Sequence, residues 1–279
     1  MLTPPLTDRD YLTSLLTKAG IRPVASAGQH FLIAEEVIEA TLMALENGPQ
    51  QITELGAGPG ALTEALLQNG YHVRAIERDN ALAHINEHHL PTKARQSLEL
   101  IVKDLRDVNW SWPTDYQLVG NIPYNLSGLI IRRITKLSPT PNRAVLLVQA
   151  EVGERLTATP PDMQLLSLAV SLWGEAHVLM KIPASCFWPA PQVNSALVLL
   201  LPHATNKEIA QREDILAFAK PLFQLRRKQI GGSLQKTYQL SSNAVSTVLA
   251  EAGATTEQRP QELTVAQWQN LHKSVTSHK

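Results

Sequence analysis

The strongest constraint on the fold is a regular alternation of short apolar runs with segments of helical periodicity between residues 51 and 148. This alternation is typical of parallel strands that are joined by helical crossovers. It predicts an α/β fold, a Rossmann-like sheet with helices on both faces. The predicted strands are residues 51–55, 73–76, 98–102, 116–119 and 144–148.

The chain changes character near residue 202. Before it, residues 176–182 and 196–201 predict a final strand pair that resembles a hairpin at the sheet edge. After it, only helical patterns occur, at 208–223 with Asn206 as N-cap, at 240–253 and at 265–275. We therefore expect a catalytic domain at 1–203, with an N-terminal extension at 1–26, and a small all-α domain at 204–279.

Composition excludes several classes of protein. The single cysteine, Cys186, rules out an intrachain disulfide and a cysteine-based zinc finger, and the histidines lack ligand spacing, so no metal is expected. No apolar run approaches a membrane span, and no secretory signal is evident, so a cytoplasmic protein is expected. The formal net charge is zero, but residues 202–279 hold ten Lys/Arg against six Asp/Glu.

The turn Gly-Asn-Ile-Pro-Tyr-Asn-Leu-Ser at 120–127 follows a predicted buried strand. Asn121 therefore lies at the carboxyl end of a strand, where open α/β sheets bind ligands. Pro123 stiffens the turn and biases Ile122 toward an extended backbone. An amide oxygen, a backbone carbonyl and the Tyr124 ring then share a small volume, which suits a planar base with an exocyclic amine.

A glycine-rich segment, Gly56-x-Gly58-x-x-Ala61, is followed about twenty residues later by Glu77. This pattern alone does not separate a nicotinamide cofactor from S-adenosylmethionine, because both present ribose hydroxyls to such an acid. Asp104 and Asn121 end the next two strands and are expected in the same crevice. A carboxylate at Asp104 accepts the adenine amine of a nucleoside cofactor, which favours S-adenosylmethionine.

Six motifs occur in order along the chain, at residues 28–32, 54–63, 75–79, 120–127, 149–155 and 187–196. Together they resemble the rRNA adenine dimethylase family. The tail motifs at 222–228 and 259–265 resemble the branch that acts on small-subunit (16S) rRNA.

This resemblance implies a substrate and partners. The substrate would be two adjacent adenosines in the 3′-terminal hairpin loop of small-subunit rRNA, each dimethylated on N6 with S-adenosylmethionine as methyl donor. The partner would be the immature 30S-type subunit, and the enzyme a monomer. The implied cofactor contacts are His30, Leu32, Gly56, Gly58, Glu77, Asp104 and Asn121.

The resemblance also assigns the catalytic positions. Asn121 and the carbonyl of Ile122 would accept hydrogen bonds from the target amine, in the turn stiffened by Pro123. Tyr124 and Phe187 would stack on the two faces of a flipped base. Candidate phosphate contacts are Arg132 and Arg133 after the catalytic turn, and Arg226, Arg227 and Lys228 on the long tail helix.

Three other functions stay open. A large-subunit adenine methyltransferase of the macrolide-resistance type shares most of the motifs, although the 259–265 tail argues against it. A non-catalytic RNA-binding assembly factor is opposed by the intact residues 121–124. A nicotinamide-dependent dehydrogenase is supported only by the glycine-rich segment. His30 stands where the family usually has asparagine, and the chain is less basic than is common for the family.

Overall fold

The computed structural model describes residues 4–24, 28–204 and 208–278. It contains a seven-stranded sheet and a separate two-stranded sheet. The strands are β1 (Phe31–Leu32), β2 (Gln51–Leu55), β3 (His72–Glu77), β4 (Leu98–Val102), β5 (Gln117–Asn121), β6 (Arg143–Gln149), β7 (Gly174–Ile182), β8 (Phe187–Trp188) and β9 (Ser195–Pro202).

Helices are present at the three positions predicted after residue 202. The sequence patterns did not single out three other helices, at residues 150–157, 165–173 and 230–238. The predicted N-cap Asn206 lies outside the described residues. The helices are α1 (Arg9–Lys18), α2 (Glu35–Leu45), α3 (Ala61–Gln68), α4 (Asn80–His89), α5 (Ser127–Ile134), α6 (Ala150–Thr157), α7 (Leu165–Trp173), α8 (Ile209–Gln224), α9 (Ile230–Tyr238), α10 (Ser242–Ala252) and α11 (Val265–Ser277).

The large sheet has the order β4-β3-β2-β5-β6-β9-β7. The pairs from β4 to β6 are parallel, and β9 runs antiparallel to β6. The α/β prediction is therefore confirmed. β7 and β9 are neighbours, as predicted, but residues 183–194 separate them, so the connection is longer than that of a tight hairpin.

The central strands are buried because the crossover helices cover them. β5 and β6 read as almost unbroken apolar runs, and Val119 and Val145 are fully buried. Continuous apolar runs are expected of parallel strands that are buried on both faces, where a half-exposed strand would alternate. The first polar side chain at the end of β5, that of Asn121, therefore emerges at the sheet edge.

The chain divides into two compact units, Met1–Gly153 with His177–Pro202, and Glu154–Ala176 with His203–Lys279. The sequence placed a single boundary near 203, so residues 154–176 were assigned to the first domain. In the structure α7 packs against α8, and Leu168 and Leu172 share an apolar cluster with Leu222. The sequence of α7 is so apolar that the helix must be buried, but it does not indicate which element α7 packs against.

The two-stranded sheet was not predicted. β1 pairs antiparallel with β8, so that Phe31 faces Trp188 and Leu32 faces Phe187. Two residues per strand give too short a pattern to detect in the sequence. The pairing joins the 28–32 motif to the 187–196 motif, which lie far apart along the chain.

Gly120 on β5 lies in close contact with the end of the neighbouring strand β2. A Cβ atom at Gly120 would lie 2.4 Å from the carbonyl oxygen of Leu55. We expect Gly120→Ala to lower the free energy of unfolding by about 3 kcal/mol, because backbone must move to relieve the overlap. Denaturant titration measures the change. Gly128→Ala is the control, since its Cβ would meet nothing within 4 Å; equal stability of the two variants would contradict this account.

Candidate functional site

The first unit contains an open cleft with a volume of about 160 Å³. The carboxyl ends of β2, β3 and β5 form its floor, together with the segment that follows β4 and the residues that precede β1. Parallel strands end at one edge of a sheet, so the polar residues that follow them converge there. Of the residues predicted from the sequence, the cleft is lined by His30, Gly56, Gly58, Glu77, Asp104, Asn121 and Pro123.

A glycine loop after β2 brings bare backbone to the cleft. Gly56 and Gly58 have φ angles of +75° and +57°, a region that side chains rarely adopt. A Cβ atom at Gly58 would lie 3.6 Å from the Phe31 ring, and one at Gly56 would lie 3.4 Å from the backbone oxygen of Asn121. The loop therefore leaves room for a ligand that lies flat against the backbone.

Glu77 ends β3 and ties the glycine loop to α4. One carboxylate oxygen accepts from the Gly58 backbone N–H at 2.9 Å, and the other accepts from Asp79 at 2.8 Å. Burial raises the pKa of Glu77, and these two backbone hydrogen bonds oppose the shift. Each oxygen keeps further acceptor capacity toward the cleft, which suits paired ribose hydroxyls.

Asp104 follows β4 and is held by Arg106. The guanidinium of Arg106 donates to both carboxylate oxygens, at 2.9 and 2.8 Å, and the Arg106 backbone N–H donates a third hydrogen bond at 2.9 Å. The hydrogen bonds from Arg106 lower the pKa of Asp104 to about 2. Asp104 is therefore an ionised acceptor at neutral pH. The sequence analysis did not single out Arg106, which also lines the cleft.

Asn121 is oriented by a distant backbone group. Its Nδ2 donates to the carbonyl of His30 at 2.8 Å, which leaves Oδ1 as an acceptor. The turn beyond it is rigid, because the Ile122 N–H donates to Leu147 at 3.0 Å and Pro123 has a φ of −53°. The side chain of Ile122 is 1% exposed. The strand end thus presents an amide oxygen in a defined direction.

Tyr124 and His30 form a pair of aromatic rings beside Asn121. Their centroids are 5.6 Å apart with an interplanar angle of 22°. The Tyr124 hydroxyl shares a 2.8 Å hydrogen bond with Ser195, and His30 Nδ1 donates to the carbonyl of Pro189 at 2.7 Å. Both rings are anchored at their edges. The imidazole of His30 therefore contacts Tyr124 and Pro189. His30 also lines the cleft, and its predicted contact with the cofactor stays a prediction.

Leu32 and Phe187 lie beneath the surface. They are 6% and 2% exposed and belong to the apolar cluster of the first unit. Neither Phe187 nor Tyr124 is among the residues that line the cleft, and Leu32 faces Phe187 across the two-stranded sheet. The stacking of Phe187 on a base stays a prediction. Leu32 lines a smaller cavity behind the glycine loop.

The two basic residues of α5 are half-buried. Arg133 donates to the carbonyls of Leu105, Arg106 and Val108, and its guanidinium lies 4.1 Å from the centroid of Trp110. Its donors thus hold the 105–108 segment in place, so a contact with phosphate would compete with this structural role. Arg132 remains a candidate RNA contact on the same helix.

In the second unit, Arg226 and Arg227 line a cavity of about 500 Å³ that also includes Arg155 and Phe223. Arg226, Arg227 and the adjacent Lys228 were predicted on the long tail helix. α8 ends at Gln224, however, and a turn closed by the Lys228 N–H and the Leu225 carbonyl carries them. All three are exposed, as a phosphate contact requires. Arg155 closes the 149–155 motif, which could have identified it.

No group of three or more His, Cys, Asp or Glu side chains within the described residues is arranged to hold a metal ion. No helix in the described part of the chain is long and apolar enough to cross a membrane.

This chain is similar to known proteins in both sequence and fold. The family model for ribosomal RNA adenine dimethylase matches residues 24–276. A ribosomal RNA small subunit methyltransferase A from Desulfitobacterium hafniense is 30% identical over 269 residues, which are 94% of this chain and 96% of the relative.

Two solved structures share the fold at lower identity. A dimethyladenosine transferase from Plasmodium falciparum has a TM-score of 0.75 and 20% identity, and the match covers 87% of this chain and 96% of that one. The 23S rRNA methyltransferase ErmE has a TM-score of 0.71 and 23% identity over 88% of this chain and 99% of that one. The chain belongs to the ribosomal RNA adenine dimethylase family.

Proposed function

We propose that this chain transfers methyl groups from S-adenosylmethionine to the N6 amines of two adjacent adenosines in the 3′-terminal hairpin loop of small-subunit rRNA. The observation that carries the proposal is the orientation of Asn121. Its amide nitrogen is bound by the His30 carbonyl, so its oxygen is the atom left for an amine donor. That oxygen lies beside a cleft whose other polar groups suit a nucleoside cofactor.

The residues of the cleft fit S-adenosylmethionine. The glycine loop leaves the space that a Cβ atom would fill, and Glu77 offers acceptors for ribose hydroxyls. Asp104 is an ionised acceptor for the adenine amine, which would share the carboxylate oxygens of Asp104 with the Arg106 guanidinium. Glu77 and Asp104 come at the ends of the neighbouring parallel strands β3 and β4. This position supports a single ligand that contacts both side chains.

When bound, the cofactor supplies an electrophilic methyl group. Asn121 Oδ1 and the carbonyl of Ile122 would accept the two hydrogen bonds of the target amine. These bonds favour a pyramidal nitrogen with an available lone pair, which a free adenine amine lacks. The rest of the rate enhancement comes from proximity and orientation. The alkylated amine is acidic enough to lose its proton to water, so no general base is required.

The Tyr124 ring provides a stacking surface for a base taken out of its helix. Its anchoring by Ser195 keeps the ring in place when the base arrives. Phe187, which is buried in the free protein, is the second ring proposed for this slot. His30, which is already parallel to Tyr124, is the aromatic neighbour in the present arrangement.

The RNA partner would be an immature small subunit, bound by the protein as a monomer in the cytoplasm. Arg226 and Arg227 are the strongest candidates for phosphate contacts, since they line one cavity with Arg155 and are exposed. Their position in the basic C-terminal segment suits RNA binding, and Phe223 adds an aromatic surface to the same cavity.

Reversing the charge at both Arg226 and Arg227 tests this assignment. We expect Arg226→Glu with Arg227→Glu to weaken binding to small-subunit RNA by about tenfold and to lower the salt slope by about 2. Filter binding at several salt concentrations measures both. Lys273→Glu, an exposed change on α11 in the same unit, is the control. An effect of the same size from Lys273→Glu would mean that general charge, and not this cavity, binds the RNA.

The reaction itself is tested by nucleoside analysis. Unmethylated small subunits are incubated with the protein and S-adenosylmethionine, and the rRNA is digested and examined by mass spectrometry. We expect N6,N6-dimethyladenosine to accumulate. Accumulation of monomethyladenosine alone would refute dimethylation, and absence of both products would leave the non-catalytic assembly factor as the better explanation.

A further inference from the structure

Arg106 lines the same cleft as Asp104, but the proposed function gives its side chain no contact with a ligand. Asp104 is the N-cap of the short 3₁₀ turn Leu105–Asp107, and Arg106 lies in the middle of this turn. The guanidinium and the carboxylate therefore belong to one local structure on the wall of the cleft.

The contact between the two side chains is a fork of two hydrogen bonds. Nε of Arg106 donates to Oδ1 of Asp104 at 2.9 Å, and Nη2 donates to Oδ2 at 2.8 Å. Two parallel hydrogen bonds hold a guanidinium in the plane of a carboxylate, which a single contact does not do. The pair stays charged at neutral pH, because the hydrogen bonds from Arg106 lower the pKa of Asp104 to about 2.

The fork leaves one acceptor position and several donors free. Oδ1 accepts from both Nε and the Arg106 backbone N–H, whereas Oδ2 accepts only from Nη2 and so keeps a lone pair. The guanidinium keeps a second N–H on Nη2 and both N–H groups of Nη1, and no hydrogen bond within the described residues uses them. The Arg106 side chain is 57% exposed, so these donors are open to a ligand.

The free acceptor and the nearest free donor lie side by side. They belong to Oδ2 of Asp104 and Nη2 of Arg106, which are 2.8 Å apart in the shared plane. A planar ligand matches this edge when it carries a donor next to an acceptor. Adenine does so, because the ring nitrogens N1 and N7 flank its N6 amine. A 6-oxopurine does not, since an oxygen replaces the amine.

We propose that Arg106 determines specificity for the adenine of the cofactor, by donating from Nη2 to the ring nitrogen beside the amine that Asp104 accepts. This inference rests on the proposed function for the presence of S-adenosylmethionine. It adds a second contact, from a charged donor, to the contact proposed for Asp104. The pair then recognises both a donor and an acceptor of the base.

The contact is tested with analogues of S-adenosylhomocysteine, the cofactor without its reactive methyl group. In the 1-deaza and 7-deaza analogues, N1 or N7 is replaced by a C–H group. Each analogue keeps the amine, the ribose and the amino acid portion, so only a contact to that ring nitrogen is lost. If the Arg106 guanidinium only held Asp104 in position, its removal would not change the preference for a ring nitrogen.

Two variants are compared with the wild type. Arg106→Met removes the guanidinium and keeps an apolar stem, and Asp104 still accepts the backbone N–H of residue 106, so the turn should be retained. Arg78→Met is the matched control, because Arg78 is a second exposed arginine of the cleft and makes no hydrogen bond to Asp104 within the described residues. Isothermal titration calorimetry gives the affinity of each protein for the three ligands.

We expect one of the two deaza analogues to bind the wild type about tenfold more weakly than S-adenosylhomocysteine, as is usual when a hydrogen bond to a charged group is lost. Arg106→Met should bind S-adenosylhomocysteine about tenfold more weakly than the wild type does, and no more tightly than it binds that analogue. Arg78→Met should keep the wild-type ratio of the two affinities.

Equal affinity of the wild type for all three ligands would overturn the assignment, and so would a wild-type ratio that persists in Arg106→Met. Loss of the ratio in Arg78→Met as well would assign the preference to the charge of the cleft and not to Arg106. These results would leave cofactor binding in place. Failure of the wild type to bind S-adenosylhomocysteine would refute the proposed function, and this inference with it.

Discussion

Replacing Asn121 with alanine is expected to slow methyl transfer by about 10²- to 10³-fold, with a larger effect on kcat than on the KM for RNA. The expected size is that of removing one preorganised hydrogen-bonding group from a reaction centre. Oδ1 is held in one direction by the bond between Nδ2 and His30, so no rearrangement is needed when the amine arrives. Single-turnover transfer from labelled S-adenosylmethionine measures the rate.

Asn125→Ala is the matched control for Asn121→Ala. Asn125 is an exposed asparagine on the same turn and lines the same cleft, but it does not end a strand. We expect its removal to change the rate less than threefold. If Asn121→Ala retained half of the wild-type rate, the amide of Asn121 would not be part of the reaction centre.

The second large effect is expected at Glu77. Glu77→Ala removes the acceptor for two ribose hydroxyls and also frees the Gly58 N–H that shapes the glycine loop. Hydrogen bonds to a charged acceptor contribute about 1.5–3 kcal/mol each, so affinity for S-adenosylhomocysteine should fall by at least about a hundredfold. Calorimetric titration measures the loss.

Glu99→Ala provides the control, because Glu99 is an exposed carboxylate on the neighbouring strand β4 and pairs with Arg74. It should leave affinity unchanged. Tight binding of S-adenosylhomocysteine by Glu77→Ala would remove Glu77 from the cofactor site.

The parts of the fold that could be predicted from sequence are those that local patterns determine. Residues 51–55 and 98–102 are strands at the predicted bounds, because each is a short segment with apolar and β-branched residues, too short for a helix. The capping box at Thr264 and Gln267 starts α11, and Gly253 closes α10 in a left-handed conformation. Polar residues at the strand ends then converge at one edge of the sheet.

The features that the sequence analysis missed depend on long-range contacts. The burial of Phe187 follows from its pairing with Leu32, and the assignment of α7 to the second unit follows from its packing on α8. Likewise, Arg133 donates to three carbonyls whose positions no spacing rule encodes. The salt bridge of Arg106 to Asp104 is the exception, because it is local to the turn after β4.

The identity of the methylated RNA tests the central claim most directly. The protein and labelled S-adenosylmethionine are incubated separately with unmethylated small and large ribosomal subunits, and modified adenines are mapped by primer-extension stops, with Asn121→Ala as control. We expect stops at two adjacent adenosines near the 3′ end of the small-subunit RNA, and their loss in the variant. Stops in the large-subunit RNA, or no transfer to either subunit, would contradict the account.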